Sequence, residues 1–316
     1  MNVRSLMAHR FGGLAIIGAI VILQPAFFPS AYYYRLGALV LIFGLAAIGL
    51  NLLMGFAGQV SLGHAGFLAI GGYSVAIGPP ILGAPPGLCI LGGAVLSGAI
   101  AFFVGRPILR LKGHYLAVAT LGFGVLLTIV LTNESALTGG PDGMTVPRLV
   151  LFAWPVRGTD TWYWIAAATF LFSAMLAVNL SDSPTGRALK AIQDGEVAAA
   201  TLGIDVARQK LTIFIISAVF VSVAGSYLAL LNGHITPDVS SFLRSIELVA
   251  MVVLGGLGSI AGSLLGAAVL VVLPQILTAL HEYEDMALGL ILMGSMIFLR
   301  KGIVPSLTAM IGGRRT

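Results

Sequence analysis

The stretch NLLMGFAGQVSLGHAGFLAIGG, residues 51–72, decides how the chain is read. It lies inside a long apolar region, yet it carries six glycines and the polar set Asn51, Gln59, Ser61 and His64. Glycine weakens a helix by roughly 1 kcal/mol relative to alanine. Backbone groups freed by such a break are tolerated at membrane depth only where protein or a wet cavity satisfies them. The segment therefore reads as a broken membrane helix. Its polar side chains have two possible uses: lining or gating a translocation path, or hydrogen bonding to a neighbouring helix for under about 2 kcal/mol.

The rest of the 316 residues supports a membrane setting. The chain is 58% hydrophobic and 9% charged, against about 25% charged in soluble domains. So little charge cannot coat a globule, and the apolar runs are too long for strands. The expected fold is all-α and polytopic. With about 20 residues needed per crossing, ten segments emerge near 11–28, 36–54, 60–78, 86–105, 114–132, 162–180, 211–231, 245–257, 262–280 and 286–300. The basic residues Arg4, Arg10, Arg106, Arg110, Lys112, Arg187, Lys190, Arg208, Lys210, Arg300, Lys301, Arg314 and Arg315 then share one side. The positive-inside bias makes that side cytoplasmic, along with both termini, and the same bias explains the basic balance without a nucleic-acid partner. Glu134, Asp142, Asp160, Asp238 and the HEYED cluster at 281–285 fall opposite, together with a minority of the basic residues, Arg148, Arg157 and Arg244. Residues 1–10 form a cytoplasmic tail, 11–300 one permease domain and 301–316 a basic cytoplasmic tail. Five spans per half would suit an inverted repeat.

Several chemistries find no support in the residues. There is no GxxxxGK[ST] phosphate loop, so any ATP must be used by another subunit. His9, His64, His114, His234 and His281 lie in different loops and spans, which gives no metal site. No nucleophile–base pair marks an enzyme. Glu247 could serve a proton-driven carrier, but Arg244 sits one helical turn before it, and an interfacial ion pair is the preferred reading. Within GGLGSIAG at 255–262, the GxGxxxG spacing follows an apolar helix rather than a strand. Gly258, Gly262 and Gly266 recur every four residues, which favours a helix-packing face over a hinge or path role.

The loop SPTGRALKAIQDGEVAAATLGIDVARQK, residues 183–210, is more specific. Pro184 and Gly186 break the preceding helix, and two short helical pieces flank Asp194–Gly195. The alanines at 188, 191, 198 and 199 make small faces suited to docking in another protein's groove.

This loop resembles the ATPase-docking loop of ABC importer permeases. Val197, Ala198, Ala199 and Gly203 stand for its E-A-A-x-x-x-G core, with Glu196 one position early and Ile216 in place of a proline. The stretch 49–73 is similar to the signature of the branched-chain amino acid ABC permeases. So are LKGHYLAVATLGFG at 111–124, LTGGPDGM at 137–144, GRALKAI…AAATLGI, and SIELVAMVVLGGLGSIAGSLLGA at 245–267. The resemblance favours the LivM-type subunit of that family. It implies a bacterial inner-membrane permease that moves branched-chain or other hydrophobic amino acids inward by alternating access, with urea, short amides or aromatic acids as alternative solutes. The implied partners are a second, LivH-type permease, two cytoplasmic ATPase subunits that use ATP and Mg, and a periplasmic binding protein. No cofactor is bound by the chain itself. The docking loop spans 181–210, with Gly186, Ala191, Glu196, Ala198, Ala199 and Gly203 as its coupling residues. An autonomous channel or ion-coupled carrier is the competing class, and it leaves the alanine-rich loop unexplained.

Overall fold

The computed structural model describes residues 12–277 apart from Lys112, Phe152, Ala153 and Arg157, together with Gly289, Met293, 302–304 and Ser306. The fold is all-α. Its helices are α1 (Gly12–Leu23), α2 (Ala31–Ala57), α3 (His64–Leu82), α4 (Pro86–Ile108), α5 (His114–Asn133), α6 (Thr159–Asp182), α7 (Pro184–Asp194), α8 (Glu196–Thr201), α9 (Val206–Asn232), α10 (Phe242–Gly255) and α11 (Ile260–Leu277). Six of them, α2 to α6 and α9, are long and apolar enough to cross a membrane. At 27 residues, α2 rises about 40 Å, more than the roughly 30 Å hydrocarbon core.

Burial sorts the helices into two layers. From Leu41 to Ala57 every residue of α2 is buried, because α6, α9, α10 and α11 surround it. A helix apolar on all sides belongs in such a position. By contrast, α4 and α5 leave large apolar side chains outward, among them Phe103 and Val118. A soluble surface would not tolerate so many, and this is a multi-pass membrane protein.

Helices α3 and α9 cross in close backbone contact. A Cβ on Gly71 would overlap the Ser222 carbonyl oxygen, and one on Gly225 would overlap the Leu68 carbonyl oxygen. Backbones can approach this closely only where side chains are absent. At one end of the bundle, β1 (Met144–Thr145) pairs antiparallel with β4 (His234–Ile235), with Met144 opposite Ile235. Beside it, β2 (Val150–Leu151) pairs with β3 (Trp154–Pro155). The opposite end carries α7 and α8.

Four expected spans are redrawn. The helix expected over 60–78 starts only at His64, after a non-helical run over 58–63. The helix expected over 11–28 stops at Leu23, where Pro25 opens a short 3₁₀ turn. The segments expected over 245–257 and 262–280 are helices, but α10 has 14 residues and rises only about 21 Å. It turns back through 256–259 into α11, with Gly255 against Gly262 and Gly266 against the Met251 carbonyl. These two form a tight hairpin. The tenth expected span, 286–300, and both tails lie outside the described residues save Gly289, Met293, 302–304 and Ser306.

Candidate translocation and coupling site

Two helix breaks lie near the C-terminal end of α2. The first, 58–63, begins where Gly58 adopts φ +65° and the Gln59 N–H donates to the Leu53 carbonyl at 3.3 Å. That is the glycine-terminated helix end in which a left-handed residue lets the chain turn away. The second, 256–259, joins α10 to α11, and Gly258 within it has φ +75°.

Asn51 clamps the second break. Its Nδ2 donates to the Ser259 carbonyl at 2.9 Å and to Ser263 Oγ at 2.9 Å. Its Oδ1 accepts from the Gly258 N–H at 2.9 Å. Gly258 therefore lies in the turn and not on the helix face expected for it. Gly262 and Gly266 do form a face, pressed on α10. The four-residue spacing carried no sign that the helix starts only at Ile260.

His64 holds the far side of the first break. One ring nitrogen lies 2.7 Å from Ser61 Oγ and the other 2.8 Å from Ser217 Oγ on α9. The Leu62 N–H donates to Thr120 Oγ1 on α5 at 3.0 Å. Asn51, Ser61 and His64 are thus spent on the scaffold. Gln59 differs: it is 3% exposed, and among the described residues neither its Nε2 nor its Oε1 has a hydrogen-bond partner.

The serines of α9 were not singled out from sequence, although Ser217, Ser222 and Ser226 are all fully buried. Ser226 Oγ donates to the Gly71 carbonyl at 2.9 Å, and Ser222 Oγ has no hydrogen-bond partner among the described residues. A run of small hydroxyls on an otherwise apolar helix was the available signal. The polar side chains of this seam are amides, hydroxyls and one imidazole.

The same break touches the loop helices. A Cβ on Gly58 would stand 3.3 Å from Gln193 Cγ on α7, and Lys190 Nζ lies 5.7 Å from the Phe56 ring centroid. α7 starts at Pro184, with Ser183 Oγ accepting the Gly186 N–H at 3.2 Å. Gly186 packs against the Leu180 and Ser181 carbonyls. Helix α8 is tied down by the Glu196–Lys210 ion pair, whose lysine is almost fully buried. Ala191 is half-buried on α7, while Ala199 faces inward. Val197, Ala198, Leu202 and Gly203 face out, with Val197 76% and Leu202 79% exposed. The outward face is therefore more aliphatic than the alanine pattern suggested. At the other end, Arg244 Nη1 pairs with Glu247 Oε2 at 2.5 Å, as the one-turn spacing indicated.

Residues 33–299 match the family model described as branched-chain amino acid transport system / permease component. The high-affinity branched-chain amino acid transport system permease protein LivM of Escherichia coli (strain K12) is 33% identical over 91% of this chain and 74% of its own length. LivH of the same strain is 26% identical over 83% of this chain and 91% of its own. A probable branched-chain amino acid transport permease protein LivM of Methanocaldococcus jannaschii is 27% identical over 67% of this chain and 62% of its own. No solved structure matches the chain.

Proposed function

This chain belongs to the family of branched-chain amino acid transport permease components, and we propose that it imports branched-chain amino acids as one of two homologous permeases in the bacterial inner membrane. Two cytoplasmic ATPases, using ATP and Mg, drive it, and a periplasmic binding protein delivers the solute. The end bearing α7 and α8 faces the cytoplasm, as do both termini, and the membrane segments follow an inverted arrangement into which α10 and α11 enter together as a hairpin.

One observation carries the mechanism: α7 rests on Gly58 and Phe56 at the first break. An ATPase gripping the outward face of α8 moves the α7–α8 pair, and the contact passes that movement to 58–63. The break is tied to α5 through Thr120 and to α9 through His64, so its displacement shifts three helices together. Helix ends are where a hinge absorbs backbone rotation at least cost.

Within that path Gln59 meets the solute. A buried amide without partners costs about 1–3 kcal/mol, and native proteins keep such groups where a function uses them. An uncharged amide and the nearby hydroxyls pair with a zwitterion without trapping it. Asn51, Ser61 and His64 position the two breaks around it.

A contrast of two substitutions tests this in the reconstituted complex. Asn51→Leu is expected to cost about 1–3 kcal/mol of stability, since it strands the Gly258 N–H and the Ser259 carbonyl. Gln59→Leu is expected to leave thermal stability unchanged or higher, yet to slow ATP-driven leucine uptake about tenfold, the equivalent of one lost hydrogen bond in the rate-limiting state. Wild-type uptake by Gln59→Leu would place the path elsewhere.

A further inference from the structure

At the end of the bundle that carries α7 and α8, a cavity of 810 Å³ opens between α4 and α9. Its rim carries Arg106, Arg110 and Arg208, all exposed. No described carboxylate pairs with any of the three. Three other charged groups line the same cavity: Lys210 and Glu196, which pair with each other, and Asp205, whose Oδ1 accepts the Arg208 backbone N–H at 3.0 Å.

The floor is apolar. Phe102, Leu211 and Ile215 line it, and the Arg106 guanidinium lies 4.0 Å from the Phe102 ring centroid. Ile215 is seven residues along α9 from Arg208, which puts it about 10 Å deeper along the helix. Beside Phe102, Phe103 is 71% exposed on the lipid-facing side of α4. The site thus joins a three-guanidinium rim to an apolar trough running toward the hydrocarbon. A free anion satisfies the rim and leaves the trough empty. An acidic protein segment does the same.

We infer that this cavity binds an anionic phospholipid, its phosphodiester held by Arg106, Arg110 and Arg208 and the upper part of an acyl chain lying along Phe102, Leu211 and Ile215. Guanidinium groups match phosphate oxygens two at a time, and basic pockets between membrane helices at the cytoplasmic side suit acidic headgroups. The lipid bridges α4 to the helix whose first turn anchors α8 through Lys210. The inference rests on the proposed function only for which leaflet supplies the lipid.

The test uses the full complex, purified with its co-expressed subunits and placed in nanodiscs of phosphatidylcholine containing phosphatidylglycerol. Retained phosphatidylglycerol is counted by native mass spectrometry. Arg106→Gln, Arg110→Gln and Arg208→Gln together are expected to weaken retention about a hundredfold, at about 1 kcal/mol per basic residue. The corresponding three Arg→Lys changes should fall between wild type and the Gln variant, since they keep the charge and lose the two-pronged match. Inorganic phosphate at millimolar concentration should not displace the lipid. Equal retention by the Gln variant, displacement by phosphate, or retention only after the ATPases are stripped away would each overturn the inference, the last by assigning the cavity to a protein partner. Lipid counts do not depend on uptake, so a complex that retains the lipid but transports no amino acid would fail the functional reading alone.

Discussion

Replacing Val197 and Leu202 by aspartate is expected to release the ATPase subunits while leaving this chain folded in the membrane. Both side chains project outward from the α8 region, 76% and 79% exposed. Burying an aliphatic side chain of this size stabilises an interface by about 1.5–3 kcal/mol. Losing two, and placing carboxylates in the groove, weakens capture by about two to four orders of magnitude. The measurement is ATPase co-purification, with membrane insertion followed on the same sample. Ala199→Trp would be a poor probe of the same face. Ala199 is 1% exposed and points into the protein, so a large side chain there disturbs the seat of α8 before any partner meets it. Retention of the ATPases by the double aspartate variant would move the docking surface off α8.

The second large effect is expected inside the bundle. Gly225→Leu should prevent assembly of α3 against α9, and Gly225→Ala should already cost about 1–3 kcal/mol through overpacking. The reason is local: the added Cβ overlaps the Leu68 carbonyl, a backbone atom that cannot rotate aside. Gly92→Ala on α4 is the matched control, because nothing lies within 4 Å of the added carbon there. Thermal unfolding in detergent reads both. Equal melting of Gly225→Ala and Gly92→Ala would mean that the two helices are not held by this crossing.

What was legible in the chain, and what was not, follows from the range of the interactions. The break at 58–63 and the division of the loop helices at Asp194–Gly195 are local, written in glycines and short polar residues. Both were readable. The α10–α11 hairpin was not, since apolar run length alone cannot distinguish two crossings from one helix that turns back. Its turn is held by Asn51, more than 200 positions away in sequence. Nor does any spacing pair Gly71 with Ser222, or His64 with Ser217, because those contacts exist only after α3 and α9 have crossed. The inward face of Ala199 has a similar cause: the Glu196–Lys210 pair sets the rotation of a six-residue helix too short to set its own.

The central claim is that an ATPase acting on α8 moves the break at 58–63 through α7. Its most direct test is leucine uptake into proteoliposomes by this chain with its partner permease, ATPases and binding protein, compared with the chain alone. The account predicts uptake that requires ATP and every partner. Gradient-driven uptake by the chain alone, indifferent to ATP, would contradict it.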